Sequence, residues 1–235
     1  MYHFLTKENL YNKVTALKQN LGIPKHEHCI DTIKICKQIP NLQIGYISFN
    51  TIGLKGMSCI GNLKEKDVII LNSNQLPVEK NFICCHELMH LNLHREGPTR
   101  FFNCFDKVKP KQNKFLEWEA NEGAAELLVP YKLLLPLLEQ NKENLNTSFG
   151  IRKIRRNFSS YFNVTETVIK YRFESLKYEI NQYLNGTPLN EIVILSLNKQ
   201  REKGINIKSL NDIEDDLFWK ESLLLWIQLM DILQT

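Results

Sequence analysis

The chain has 235 residues, a net charge of +4, 43% hydrophobic residues and 24% charged residues. It is long and apolar enough to bury a sizeable core, which excludes a disordered chain and a small domain that depends on cross-links. Over this length a charge of +4 argues against a dedicated nucleic-acid or membrane-surface protein, and no apolar stretch is long enough to cross a bilayer.

The start, "MYHFLTKENLYNK", lacks the succession of a secretory signal, so a cytoplasmic setting is expected. In that setting the six cysteines (Cys29, Cys36, Cys59, Cys84, Cys85, Cys104), none in CxxC spacing, read as reduced thiols. Thr6 is a helix cap for "KENLYNKVTALKQN", whose Leu10, Val14 and Leu17 share a face before Gly22 stops the helix. A short helix at "CIDTIKICKQI" ends at Pro40. The segments "LQIGYISF", "GMSCIG" and "DVIILN" then read as a small, mainly antiparallel sheet. Pro77 opens a helix over about 78–95, closed by Gly97 and Pro98, and a polar, basic loop from Thr99 to about Gln112 follows. A helix over about 114–129 stops at Pro130, and "YKLLLPLLEQ" is an apolar helix interrupted by Pro136. The rest is read as helical. The expected organisation is a core domain over 1–140 and a helical region over 141–235.

The helix over 78–95 contains "HELMH". Two histidines four residues apart share one helix face and can grip a single divalent ion, and Glu87 beside His86 and His90 can reach a water there. HExxH is short, so a third ligand decides its meaning. His94 lies ~12 Å along the axis from His86, too far for both to hold one tetrahedral ion, and therefore reads as a support of the site. In "KFLEWEANEGAAELLVP", helical projection puts Glu117 on the apolar face with Asn121, Ala124 and Leu128. Glu119, Glu122 and Glu126 project together as a solvated stripe. A lone carboxylate on a buried face needs a cation, so Glu117 is the expected third ligand and Glu119 the alternative. Asn121 is placed to hold the free ring nitrogen of a ligating imidazole. Small residues at Ala120, Gly123, Ala124 and Ala125 allow the two helices to approach closely.

"FICCHELMHLNLH" followed by "LEWEANEGAAELLVP" resembles the ImmA/IrrE family of zinc metallopeptidases, with its HELGH-type helix and its E-x-x-A-N-x-F-A-A-x-L-L-M-P-type helix. The resemblance covers about residues 40–135. Met89 stands for a small residue of the pattern, Gly123 for an aromatic, and Val129 for a methionine. The resemblance implies an α+β, zincin-like core with the HExxH helix packed on a second ligand helix. It also implies one zinc ion per chain on His86, His90 and Glu117, with Glu87 as catalytic base. It further implies cytoplasmic cleavage of a helix-turn-helix repressor that derepresses genes of a mobile element or a stress response.

The rival reading is a DNA-binding or repressor-binding regulator with a non-catalytic metal site. It rests on 148–180, where "IRRNFSSYFNV" has helix-turn-helix spacing among Arg152, Lys153, Arg155, Arg156, Lys170 and Arg172. Tyr131 and His94 are the candidates for stabilising an oxyanion. "HEHC" at 26–29 reads as a surface cluster. The C-terminal "LFWKESLLLWIQLMDIL", apolar nearly all around, is expected to be buried against its domain or in a dimer contact.

Overall fold

Thr6 accepts a hydrogen bond from Asn9 N at 3.2 Å and starts helix α1, Lys7–Asn20, as its spacing predicts. The structure is a computed structural model that describes residues 4–62 and 64–233. The chain divides into two units, one running to Pro130 and taking in Tyr161–Thr165, the other formed by Tyr131–Ser160 and the residues from Glu166 onward.

In the first unit, α1 is followed by α2 (Thr32–Cys36) and then by strands β1 (Leu42–Ile47), β2 (Leu54–Cys59) and β3 (Asp67–Asn72). A fourth strand, β4 (Phe101–Phe105), lies inside the segment that the sequence reads as a loop. It escapes sequence reading because it is short and flanked by polar residues, but Phe102 and Cys104 alternate inward while Phe101 is exposed. The order is β1-β3-β2-β4, with β1 and β3 parallel and the other two pairings antiparallel. The fold is α+β with a small mixed sheet, and β4 is its edge next to β2.

Helix α3, Pro77–Leu93, packs on this sheet through Ile83, Leu88 and Leu91 against Ile69, Leu71 and Phe102. Asn81 ties it to the chain around α2: Oδ1 accepts from Thr32 N and Nδ2 donates to Ile30 O, both at 2.8 Å. Where α3 crosses β2 the strand offers Gly56, and a Cβ there would lie 2.5 Å from Ile83 Cγ2. The missing side chain sets how close α3 comes to the sheet.

Helix α4, Lys114–Leu128, is capped by Asn113, whose Oδ1 accepts from Phe115 N at 3.0 Å. It packs on α3 through the fully buried Ala120, Ala124 and Ala125. At Gly123 an added Cβ would stand 3.0 Å from Met89 Sδ and 3.5 Å from Leu10 Cδ1. Two of the three departures from the ImmA/IrrE pattern are therefore one exchange: the long Met89 fills the space that the small Gly123 leaves. Gly123→Phe is expected to destabilise the protein by about 1–3 kcal/mol through overpacking, and Met89→Ala in the same chain to recover most of it. Urea unfolding of the two single variants and the double variant checks this. Additive costs would show that the positions do not share a space.

The acidic stripe is a correction. Glu119, Glu122 and Glu126 are buried, because α1 covers that face of α4. Tyr11 donates to Glu122 Oε1 at 2.5 Å, and Leu5 N donates to Glu119 Oε1 at 2.8 Å. Burial pushes the Lys18 ammonium down, against the opposing pull of Glu126 and Glu27. A projection of α4 alone finds the right grouping but not the polar helix that lies on it.

The second unit is helical: α5 (Tyr131–Gln140), a 3-10 turn at Lys142–Asn146, α6 (Ser148–Tyr161), α7 (Glu166–Ser175), α8 (Lys177–Leu184), α9 (Leu197–Glu202) and α10 (Leu210–Leu233). Pro136 does not interrupt α5. In the second turn it removes one intrahelical bond, since the first four N–H groups lack partners in any helix. Of the basic residues singled out between α6 and α7, Arg155 and Arg172 are buried. Arg155 pairs with Glu214 and with Glu166, the latter at 3.2 Å, so two of the six cations do not face outward.

The C-terminal helix departs from one of the two covers expected for it, burial against its own domain. Leu223, Leu224, Leu225, Trp226 and Leu229 of α10 are exposed. Its earlier turns are tied down by Glu214 on Arg155 and by Glu221 accepting from Ser148 N at 3.0 Å. A helix apolar around its whole circumference has no face that periodicity can assign to a core. Among the described residues no helix is long and apolar enough to cross a membrane.

Candidate metal centre

The centre forms where α3 meets α4. His86 Nε2 and His90 Nε2 lie 3.0 Å apart, as the four-residue spacing dictates. Glu117, in the first turn of α4, completes a triangle, with Oε2 3.5 Å from His86 Nε2 and Oε1 3.7 Å from His90 Nε2. All three residues are buried, and the group is one of two three-donor clusters among the described residues. A tetrahedral ion with bonds of about 2.0–2.1 Å needs donors about 3.3–3.4 Å apart, a separation that these three edges bracket.

The outer ring nitrogens are held too. His86 Nδ1 is 3.0 Å from Asn121 Oδ1, one turn beyond Glu117. An amide oxygen only accepts, so Nδ1 carries a proton and Nε2 is the ring atom turned inward. His90 stacks on Phe102 of β4 with ring centroids 4.3 Å apart, and its Nδ1 is 2.9 Å from His94 Nδ1. His94 Nε2 is in turn 3.0 Å from Glu119 Oε2. Glu119, the alternative third ligand, therefore engages His94 and is not part of the triangle. With both ring nitrogens engaged, His94 is not free to stabilise an oxyanion. Tyr131 opens helix α5 of the second unit.

Glu87 is fully buried. Ser58 on β2 donates to its Oε2 at 2.5 Å, while Oε1 has no hydrogen-bond partner. Burial raises this carboxyl to about 7, against the pull of His86 and the Ser58 hydrogen bond. Burial likewise holds the His90 imidazole down at about 3. Burial also disfavours an ionised Glu117, yet the hydrogen bonds of both histidines win and hold its carboxyl at about 2. At His86 burial works against protonation, but Cys104 and Glu117 outweigh it and lift the imidazole well above its ordinary value. Without a metal, the triangle thus keeps one proton between an anionic Glu117 and two imidazoles. Its charge and its inward donors fit a divalent cation.

Three contributors carried no signal in the sequence reading. Ser58 sits on β2 opposite Glu87, Gln112 Nε2 donates to Glu117 Oε1 at 3.0 Å and to Asn103 O of β4 at 2.6 Å, and Cys104 forms the second donor cluster with His86 and Glu87. Only the inward alternation of "FFNCF" hints at Cys104. By contrast, Cys84 is hydrogen-bonded to the free thiol of Cys36 and Cys85 is deeply buried, so both thiols are held well above the usual range. Neither is poised as a nucleophile. In "HEHC", His28 stacks on Tyr161 with centroids 4.0 Å apart, and Glu27 accepts from the backbone of His28.

Residues 39–174 match the model of the IrrE N-terminal-like domain, peptidase family M78. The chain belongs to this family. Over 67 residues this M78 chain is 39% identical to an uncharacterized immunity region protein 2 of Bacillus phage phi105, a stretch that is 28% of the chain and 40% of the phage protein. It is also similar to a solved Mycobacterium tuberculosis transcriptional regulator, at 13% identity and a TM-score of 0.48, over 72% of this chain and 47% of that one. It spans less than half the length of either.

Proposed function

We propose that this M78 chain is a zinc-dependent endopeptidase that cleaves a helix-turn-helix repressor and so derepresses the genes that the repressor controls. The carrying observation is a triangle of His86, His90 and Glu117 with edges of 3.0, 3.5 and 3.7 Å, beside a buried Glu87 oxygen without a partner. The relationship to an immunity region protein of a phage supports a regulator as substrate.

His86, His90 and Glu117 would hold the ion. When bound, it supplies Lewis-acid chemistry, acidifying water and polarising a carbonyl oxygen. The proton work belongs to Glu87. Ser58 fixes its Oε2, leaving Oε1 to take the proton of the attacking water and deliver it to the leaving amine nitrogen. A carboxyl that titrates at about 7 suits both transfers near neutral pH. Asn121 and Gln112 keep His86 and Glu117 in orientation, and Phe102 covers the His90 ring.

The test is to incubate the protein with the repressor encoded beside its gene, with zinc and with a chelator. Discrete fragments with zinc and intact repressor with chelator are expected. Intact repressor in both would leave a metal-dependent binding protein instead.

The proton held at His86 gives a second expectation. Of the three donors, only His86 carries a proton to be displaced near pH 7, so zinc affinity should rise with pH between 6 and 7.5, by about tenfold per unit for that one proton. The fraction of Glu87 still protonated adds to the release. Calorimetry in buffers of different ionisation enthalpy counts the protons, and a pH-independent affinity would contradict the assignment.

A further inference from the structure

The sequence reading makes His94 a support of unspecified kind and Glu119 a spare ligand. Their geometry is more specific. Glu119 Oε1 accepts from Leu5 N at 2.8 Å, and Oε2 lies 3.0 Å from His94 Nε2. The other ring nitrogen of His94 lies 2.9 Å from His90 Nδ1, and Glu119, His94 and His90 are all at most 1% exposed.

The direction of each hydrogen bond follows from what each group can do. An ionised carboxylate only accepts, so His94 carries its proton on Nε2 and donates it to Glu119. A neutral imidazole then has a lone pair on Nδ1, so the hydrogen between the two rings belongs to His90 Nδ1 and points at His94. That leaves the lone pair of His90 on Nε2, facing His86 and Glu117.

We infer that His94 and Glu119 form a buried positioning relay, Leu5 N–H to Glu119 to His94 to His90, that fixes the tautomer of His90 and strengthens it as a metal donor. The centre is thereby asymmetric. His86 is oriented by the neutral amide of Asn121, whereas His90 is backed by a carboxylate acting through a second imidazole. The charge of Glu119 thus reaches the centre from outside the donor set and raises the basicity of one ligand. This relay deepens the metallopeptidase reading, because it needs the divalent ion on His90, but it does not need cleavage.

The experiment uses the full chain and zinc alone, without substrate. Nitrogen-15 shifts of the metal-free protein report the tautomers directly: His90 is expected protonated on Nδ1 and His94 on Nε2. In His94→Ala, His90 should move toward the Nε2–H form while His86 keeps its Nδ1 proton on Asn121, and zinc affinity by chelator competition should fall about 10- to 100-fold. Glu119→Gln, which keeps an acceptor without the charge, should lose less than Glu119→Leu. His90 found as the Nε2–H form in the unaltered protein would overturn the relay, and so would an unchanged tautomer and affinity in His94→Ala. The measurement on the unaltered protein decides the matter even where a variant does not fold. Absence of repressor cleavage with these tautomers intact would sink the peptidase reading and leave the relay standing.

Discussion

Glu87→Gln is expected to lower repressor cleavage by at least about 10³-fold, because it removes the one group placed to take and return the proton. Zinc stoichiometry should stay at one per chain, since Glu87 is not part of the His86–His90–Glu117 triangle. The same variant has a signature in stability. With the folded carboxyl raised to about 7 from an ordinary 4.5, Glu87 stays protonated in the folded state after it has ionised in the unfolded one. Its contribution is fully present below pH 4.5 and is lost as pH rises through 7. In chelator-treated protein, glutamine should therefore be neutral near pH 4.5 and stabilising by up to about 3 kcal/mol at pH 8. Thermal melts at the two pH values check the sign. Equal melting shifts at both would mean that the carboxyl is not buried as described, and undiminished cleavage would remove Glu87 from the mechanism.

Glu117→Ala should weaken zinc by about 100-fold or more, the share of one donor in a structural binding energy of roughly 10–16 kcal/mol. Glu117→Gln keeps the shape and a contact for Gln112 without the charge, and should fall between that variant and the unaltered protein. Chelator competition ranks the three. An alanine variant with unaltered affinity would mean that the third donor lies elsewhere, with Glu119 the first residue to examine.

How much of this was legible in the sequence depends on whether the deciding physics was local. The helix holding His86 and His90 has its proline start and its histidine spacing written within 17 residues. Glu117 followed from a projection within one helix, as did Asn121. β4 was not legible, because its hydrogen bonds come from β2, more than 40 residues away, and its own five residues are too few to show a period. The misread acidic stripe has the same origin. The positions of Glu119, Glu122 and Glu126 on α4 were right, but their burial depends on Tyr11, Lys18 and Leu5, which come from the other end of the sequence. Ser58 and Gln112 are contacts of the folded sheet edge and left no local pattern. The exposed end of α10 departs from burial against its domain for the opposite reason, since its composition implies a cover that its own unit does not provide.

Leu5 gives its amide hydrogen to Glu119, two imidazoles away from the metal position. An affinity tag or a trimmed start that shifts this residue is therefore expected to alter the affinity for a divalent ion, although it leaves His86, His90 and Glu117 unchanged. Preparations that differ only in their leading residues can be compared for metal content before any of them is judged inactive.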